Sequence, residues 1–322
     1  MSNYLNKNIW IIGSGPMSIE YTKVLKDIDI EFNIIGRGID SSQAFKNITG
    51  IKPYVGGLRK FLKKNPAKCS HAIIAAPVVE LSEIASDLIK YGIKNILIEK
   101  PGGLNFDEIN KVYNLSLEYN SNVFIAYNRR FYQSVQKAKE IIKIDGGVLS
   151  FDFEFTEWPS IVEKRIKSKI VKENWFLINS THVIDLAFYL GGFPNEISTN
   201  SIGGLSWHPS ASIFSGSGKS IEGALFSYKA NWEGPGSWSL NLITKNNKLI
   251  FKPLEKLQIQ KNGTNNQAFV ETDYTLDDKY KPGIFLQIDS FLNNKNKICT
   301  LLEHLKNMEV YLKIINVKTN TI

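Results

Sequence analysis

The chain has 322 residues, 43% of them hydrophobic and 22% charged, with a formal net charge of +8; this is an ordinary globular composition with enough residues for two cores. It excludes a membrane span, because no apolar run reaches the roughly 18 residues one needs, and the polar opening from Met1 to Asn8 has no signal-peptide layout. The lysines are spread and not blocked, which argues against nucleic acid and for a solvated basic surface helped by a polyanionic ligand, while Cys69 and Cys299 make no metal pattern and fit a reduced, cytoplasmic setting.

Asn8-Ile-Trp-Ile-Ile12 is a short apolar run that predicts a buried strand. Gly13-Ser-Gly-Pro-Met-Ser18 follows, and then a helical pattern to about Leu25. Strand, glycine turn and helix are the setting in which G-x-G-x-x-G predicts a dinucleotide-binding turn, here Gly13, Ser14, Gly15, Pro16 and Met17. Gly13 permits the tight turn, and Gly15 lets a pyrophosphate approach the backbone. Pro16 suits the first helical turn, whose amides can hold phosphate oxygens. Ser18 stands in for the third glycine. A purely structural turn is the alternative.

The second strand, Glu31 to Ile35, runs into Gly36-Arg37-Gly38, where an NAD enzyme usually places an acid for the adenosine ribose. Arg37 can instead pair with a 2′-phosphate, with Ser41 and Ser42 as further donors. NADP(H) is therefore expected in preference to NAD(H); the alternative is an Arg37 that stacks on adenine or faces solvent.

The alternation continues through a strand at 51–55, a basic helix to about Lys64, a strand from His71 to Ala75 and a helix from about Val78 to Lys90. A strand from Asn95, a helix from about Phe106 to Tyr119 and a strand from Asn122 to Ala126 complete it, and predict a doubly wound parallel sheet. Ala75, Ala76 and Pro77 leave room for a flat ring or ribose at one strand end. At another, the apolar run Ile96-Leu-Ile98 stops at Glu99-Lys100, and Pro101-Gly-Gly103 forbids continuation. Ligands bind at the carboxyl ends of parallel strands. A lysine there can shed hydration, which lowers its pKa and suits it to passing a proton. A surface salt bridge is the alternative.

In the second half, Phe131 to about Ile144 predicts a helix, and Val148 to Thr156 alternates as a half-exposed strand. The basic stretch from Ile161 to Lys172 is expected to be a loop or irregular segment. Glu173 to Leu190 predicts one helix, stopped by Gly191-Gly192 and Pro194. On a continuous helix Asn179, His182 and Asp185 share one face, with Trp175 near it. Asp185 can then accept a hydrogen bond from one ring nitrogen of His182 and leave the other for a ligand; a satisfied core histidine is the alternative. Strands are predicted at 196–202, 210–215, 221–231, 237–244, 248–252 and 257–260, a pattern suited to an antiparallel sheet. Trp207, His208, Trp232 and Trp238 are expected to be exposed or at an interface. The open sheet face needs a cover, so a homodimer or homotetramer through this sheet is expected. Helices from about Gly283 to Asn293 and from Leu301 to Ile315 close the chain.

Four stretches, Gly13-Ser-Gly-Pro-Met-Ser18, Glu99-Lys-Pro101, Tyr127-Asn-Arg-Arg-Phe131 and Asn179-Ser-Thr-His-Val-Ile-Asp185, together resemble the Gfo/Idh/MocA family, the glucose-fructose oxidoreductase and inositol dehydrogenase group. The resemblance covers nearly the whole chain. It implies a Rossmann domain over residues 1–127. Over 128–322 it implies an α+β domain with a large, mostly antiparallel open sheet for substrate binding and oligomerisation. The implied reaction is hydride transfer between a nicotinamide and a carbinol or ketone of a sugar or nucleotide sugar. Lys100 and His182 would flank the reacting oxygen, with Asp185 as the acidic partner of the histidine. Glu99, Lys100 and Asn128 would touch the cofactor; Lys100, Arg129, Trp158, Trp175, Asn179 and His182 would touch the substrate.

Many members carry an aspartate four residues before the histidine; here that residue is Ile178. Asn179 beside it can orient a hydroxyl but cannot take its proton. The segment from Asn174 to Gly192 looks like members tied to bacterial surface-sugar pathways, in which an NADP-leaning enzyme would run as a reductase. The rivals are a cofactor-binding sensor without turnover, and an enzyme that oxidises its substrate transiently in order to eliminate or hydrolyse.

Overall fold

The structure, a computed structural model, describes residue 4 and residues 7–316; the rest of the polar opening lies outside the described residues. The chain forms two compact units. One holds the described residues up to Asn128 together with Asp277–Leu305, and the other holds Arg129–Leu276 and the described residues from Lys306 on.

The first unit opens with β1 (Asn8–Ile12), α1 (Pro16–Asp27), β2 (Glu31–Gly36), α2 (Ile39–Thr49), β3 (Tyr54–Val55) and α3 (Gly57–Leu62). It continues with β4 (His71–Ile74), α4 (Leu81–Tyr91), β5 (Asn95–Glu99), α5 (Phe106–Glu118) and β6 (Asn122–Ala126). Ile9, Ile11, Ile73 and Ile96 to Ile98 are wholly buried, which is why these runs are apolar throughout and do not alternate. The helix α2 gave no signal in the sequence: Ile39 and Ile48 face out, and only Ser42 and Phe45 are buried, so its apolar residues make no stripe.

The second unit runs through α6 (Gln133–Ile144), β7 (Ser150–Phe155), α7 (Pro159–Arg165), α8 (Lys169–Glu173), a π turn (Phe176–Ser180) and α9 (Thr181–Gly191). The strands β8 (Pro194–Ile202), β9 (Ile213–Ser220), β10 (Leu225–Asn231), β11 (Trp238–Ile243), β12 (Asn247–Phe251), β13 (Gln258–Lys261) and β14 (Gln267–Phe269) follow. After α10 (Thr275–Lys279), α11 (Ile284–Asn293) and β15 (Cys299–Thr300) belong to the first unit, and α12 (Leu301–Ile314) ends the described chain.

The first sheet has the order β15-β6-β5-β4-β1-β2-β3, parallel throughout except for the β15–β6 pair. Strand order reverses at β1, which lies between β2 and β4, and that reversal creates a crevice at the carboxyl ends. The second sheet, β14-β13-β12-β11-β7-β10-β9-β8, is antiparallel except where β7 meets β10. Phe151, Phe153 and Phe226 on its inner face pack edge-on against Phe188 of α9. The doubly wound parallel sheet and the large, mostly antiparallel sheet are both as expected from the sequence.

Three local expectations need correction. Residues 161–172 lie mainly in two short helices; α7 starts on Pro159 and buries only Val162, and α8 buries nothing, so neither carries enough apolar residues to show a period. The helix expected from 173 to 190 is not continuous, because the π turn widens its repeat before Thr181. Asn179 therefore sits on the wide turn, and only His182 and Asp185 keep the α spacing. Trp207, His208 and Trp232 are buried: Trp232 stacks against Trp207 at 6.3 Å, and its Nε1 donates to the Phe155 carbonyl at 3.3 Å. His208 packs 4.8 Å from Trp232, donates Nδ1 to the Ala211 carbonyl at 2.8 Å, and has its pKa lowered by burial.

Candidate active site

In the first unit a cavity of about 830 Å³ lies at the carboxyl ends of the parallel strands. This is near the upper end of the range of about 300–1,000 Å³ for small-molecule and cofactor sites. Its floor is the turn between β1 and α1. Gly13 donates its amide to the Ile35 carbonyl at 2.9 Å and has φ +123°, and a Cβ there would come 2.2 Å from the Ala75 carbonyl oxygen. Only glycine fits. Gly15 is different, since a Cβ added to it would meet no protein atom within 4 Å. Packing does not require glycine at 15; its bareness leaves the start of α1, with Pro16 in the first turn, open to a pyrophosphate.

Ser14, Met17, Arg37, Ser41, Ala75, Ala76, Pro77, Glu99 and Lys100 line the same cavity as Gly13, Gly15 and Pro16. Ser14 Oγ donates to Ser41 Oγ at 3.2 Å, which ties the glycine turn to the start of α2. Asn128 is not in the lining; it is buried, and its Nδ2 donates to the Pro282 carbonyl at 3.0 Å. Glu80, Arg59, Glu83 and Asp87 line the cavity without having been singled out in the sequence. All four come from turns and helix faces that look like ordinary solvated surface.

The Glu99-Lys100-Pro101 turn is held from several sides. Tyr21, fully buried on α1, donates its hydroxyl to Glu99 Oε1 at 2.6 Å. Burial raises the pKa of Glu99, against the opposing pull of the Tyr21 hydrogen bond and the Lys100 charge. Burial, with the Glu99 charge beside it, holds the Tyr21 hydroxyl well above its usual range. Below the turn, buried His304 donates Nε2 to the Pro101 carbonyl at 2.8 Å. A carbonyl can only accept, so Nδ1 of that ring is the acceptor for the Tyr127 hydroxyl at 3.2 Å. Lys100 thus sits between a glutamate side chain held by Tyr21 and a proline carbonyl held by His304, two residues that sequence motifs do not mark.

The second unit has its own pocket, of about 500 Å³. Arg129, Trp158, Trp175 and Asn179 line it, with Glu157, Arg165, Trp238 and Lys252 in addition. The Arg129 guanidinium lies 5.0 Å over the Trp238 ring, and Trp158 donates Nε1 to the Gly236 carbonyl at 2.8 Å. His182 is outside the lining, half-buried, with its ring 6.3 Å from that of Trp238. Glu157, just past the end of β7, is buried and accepts from Asn179 Nδ2 at 2.9 and 3.1 Å and from Ser180 Oγ at 2.7 Å. It fixes two side chains of the π turn and turns the Asn179 carbonyl oxygen away from itself. Residue 178 is an isoleucine, yet a carboxylate reaches the same turn from a strand end. Only the end of the β7 alternation, at Glu157-Trp-Pro159, could have hinted at it.

Asp185 lies deeper. Arg130 donates Nε to Oδ2 at 2.8 Å and Nη2 to Oδ1 at 2.6 Å, and Asn307 Nδ2 adds a bond of 3.3 Å to Oδ1. The motif Tyr127-to-Phe131 marks Arg130, but nothing in the sequence pairs it with Asp185.

The chain has the fold of the Gfo/Idh/MocA-type dehydrogenases, the class its motifs resemble. A dehydrogenase (MviM) of Clostridium difficile has 18% identity and a TM-score of 0.78, covering 97% of this chain and 100% of that one. The WlbA dehydrogenase of Bordetella pertussis, solved with NADH and UDP-GlcNAcA, has 15% identity and a TM-score of 0.73 over 97% of this chain and 96% of that one. An oxidoreductase of Desulfitobacterium hafniense, described as NADPH-dependent, has 15% identity and a TM-score of 0.78 over 97% and 96% of the two chains. Among curated proteins, an uncharacterised oxidoreductase of Streptococcus pneumoniae serotype 4 is 23% identical over 195 residues, 58% of this chain. The match spans about half of that relative, 51% of its length. No protein-family profile matches the chain. No described helix is long and apolar enough to cross a membrane.

Proposed function

We propose that this chain is an oxidoreductase exchanging a hydride between a nicotinamide dinucleotide and a CH–OH or ketone carbon of a sugar or nucleotide sugar. In this reading it works in the cytoplasm as a reductase of bacterial surface-carbohydrate biosynthesis, as a homodimer or homotetramer through the eight-stranded sheet. The observation that carries the reading is the position of Lys100: it lines the cavity whose floor is the Gly13–Met17 turn.

The dinucleotide, when bound, supplies the hydride donor or acceptor. The chain does the rest. Amides at the start of α1 hold the pyrophosphate, and Arg37 favours NADP(H) over NAD(H) by pairing with a 2′-phosphate. Lys100 passes the proton to or from the reacting oxygen. A protonated ammonium at this place suits the acid role in ketone reduction. His182 polarises the substrate carbon–oxygen bond, and Asp185 supports it by anchoring α9 to Arg130. Asn179, held by Glu157, accepts from a substrate hydroxyl. The indoles of Trp158 and Trp175 suit a sugar or base face. Arg129, Arg165 and Lys252 suit a diphosphate, which favours a nucleotide sugar, the kind of ligand seen in the B. pertussis neighbour.

The test is a panel of keto-sugars and nucleotide sugars offered with NADPH and with NADH, followed by nicotinamide absorbance. Oxidation of the reduced cofactor by one of them is the expected result. Ile178 favours one second reading, a sensor that binds both ligands without turnover. Such a sensor binds NADPH but changes absorbance with no sugar, and a transient-oxidation enzyme shows product without net absorbance change.

A further inference from the structure

The end of β2 is where a doubly wound domain of this kind meets the adenosine ribose, and an acid there accepts from the ribose hydroxyls. In this chain β2 ends at Gly36 and Arg37 comes next. A carboxylate arrives from another direction. Glu80 ends the 3₁₀ turn Val78–Glu80 that follows Pro77, and it forms an ion pair with the Arg37 guanidinium. Both side chains line the cavity above the glycine turn. The Glu80 side chain is 22% exposed against 71% for Arg37, so the acid is the better-fixed partner. On α4, Glu83 and Asp87 line the same cavity and both pair with Arg59. This part of the rim sets three carboxylates (80, 83, 87) against two guanidiniums (37, 59).

We propose that Glu80 sets the cofactor preference of this protein. Its carboxylate takes over the task of the acid missing after β2, and it competes with a 2′-phosphate for Arg37. The inference rests on the dinucleotide-binding reading of this cavity. A 2′-phosphate carries a charge of about −1.5 to −2 near neutral pH. To reach Arg37 it must displace Glu80 or lie beside it, and like charges at that range repel. A 2′-hydroxyl meets no such conflict, because it can donate to Glu80 while Arg37 stays paired. Arg37 alone points to NADP(H). The pair points to a site that accepts both cofactors, with Glu80 holding down the advantage of the phosphorylated one.

The test is the Kd of NADPH and of NADH, measured side by side by nicotinamide fluorescence at one fixed ionic strength. The proteins are wild type, Glu80→Gln, Glu80→Ala and Arg37→Ala. In wild type the two Kd values should lie within about tenfold of each other. Both Glu80 variants should tighten NADPH by about tenfold and leave NADH unchanged or weaken it severalfold. Arg37→Ala should weaken NADPH by about tenfold or more and NADH little. A ratio of the two Kd values that stays put in both Glu80 variants, or moves toward NADH, overturns the proposal while leaving the dinucleotide site intact. Failure of wild type to bind either cofactor overturns the reading of the cavity, and this proposal with it.

Discussion

Arg130 and Asp185 meet in a two-point ion pair inside the second unit, with side chains 4% and 1% exposed. The Arg130 guanidinium also lies 4.6 Å over the Tyr189 ring, and Asn307 takes part of the remaining capacity of Asp185. The α9 helix that carries His182 is thereby locked to the chain just after β6. A buried pair of this kind is of modest net value, but removing one partner leaves an uncompensated charge. Arg130→Met should therefore cost about 3–5 kcal/mol, and Asp185→Asn a similar amount, in urea unfolding. The double variant Arg130→Met/Asp185→Leu should recover much of the loss. Additive losses in the double variant would show that the two side chains act separately.

Two glycines of the same turn, Gly13 and Gly15, should respond in opposite ways to the same methyl group. At Gly13 an alanine would combine a φ of +123° with a Cβ 2.2 Å from the Ala75 carbonyl oxygen. Gly13→Ala should lower stability by about 2 kcal/mol or more. At Gly15 the backbone is extended, with φ −95°, and the methyl meets nothing within 4 Å. Gly15→Ala should stay within about 0.5 kcal/mol of wild type in thermal unfolding. The same variant should weaken NADPH by about tenfold, because the methyl stands where the pyrophosphate approaches. Unchanged NADPH affinity in Gly15→Ala would remove the pyrophosphate from this turn.

His71, at the start of β4, gives the first unit a sensitivity to acid. Burial, with the positive charges of Lys295 and Lys7 nearby, lowers its pKa to about 4 from an ordinary 6.5. The unfolded chain takes up a proton below about pH 6.5 that the folded chain refuses until about pH 4. Stability from this residue is complete above that window and falls as pH drops through it, by up to about 3 kcal/mol. His71→Gln should flatten the pH dependence of the urea midpoint between pH 6.5 and 4 relative to wild type. Parallel curves for the two proteins would show that His71 does not titrate in this way.

The parallel sheet was legible because its strands are buried on both faces and read as unbroken apolar runs, such as Ile96-Leu-Ile98 with nothing exposed. The glycine turn and the Glu99-Lys100-Pro101 turn were legible because backbone freedom and strand ends mark the sequence locally. The return of β15 to the edge of the first sheet beside β6 was not, since a two-residue strand at Cys299–Thr300 carries no period. The π turn hid for a related reason: a single widened turn leaves an apolar helix looking continuous. The partnerships Glu157–Asn179, Arg130–Asp185 and Arg37–Glu80 join residues far apart in the chain, and one sequence holds no signal for such pairs. Trp207 and Trp232 were misplaced because a loop tryptophan looks the same whether it caps an interface or, as here, packs on another indole.

If Lys100 relays the proton while other residues hold the cofactor, its removal should separate turnover from cofactor binding. The measurement is Lys100→Ala, assayed twice: for the Kd of NADPH, and for NADPH oxidation with the sugar or nucleotide sugar that wild type reduces fastest. The expected result is a Kd within about threefold of wild type and a turnover lower by about 10²-fold or more. Turnover that survives the substitution, or a loss explained wholly by weaker NADPH binding, would contradict it.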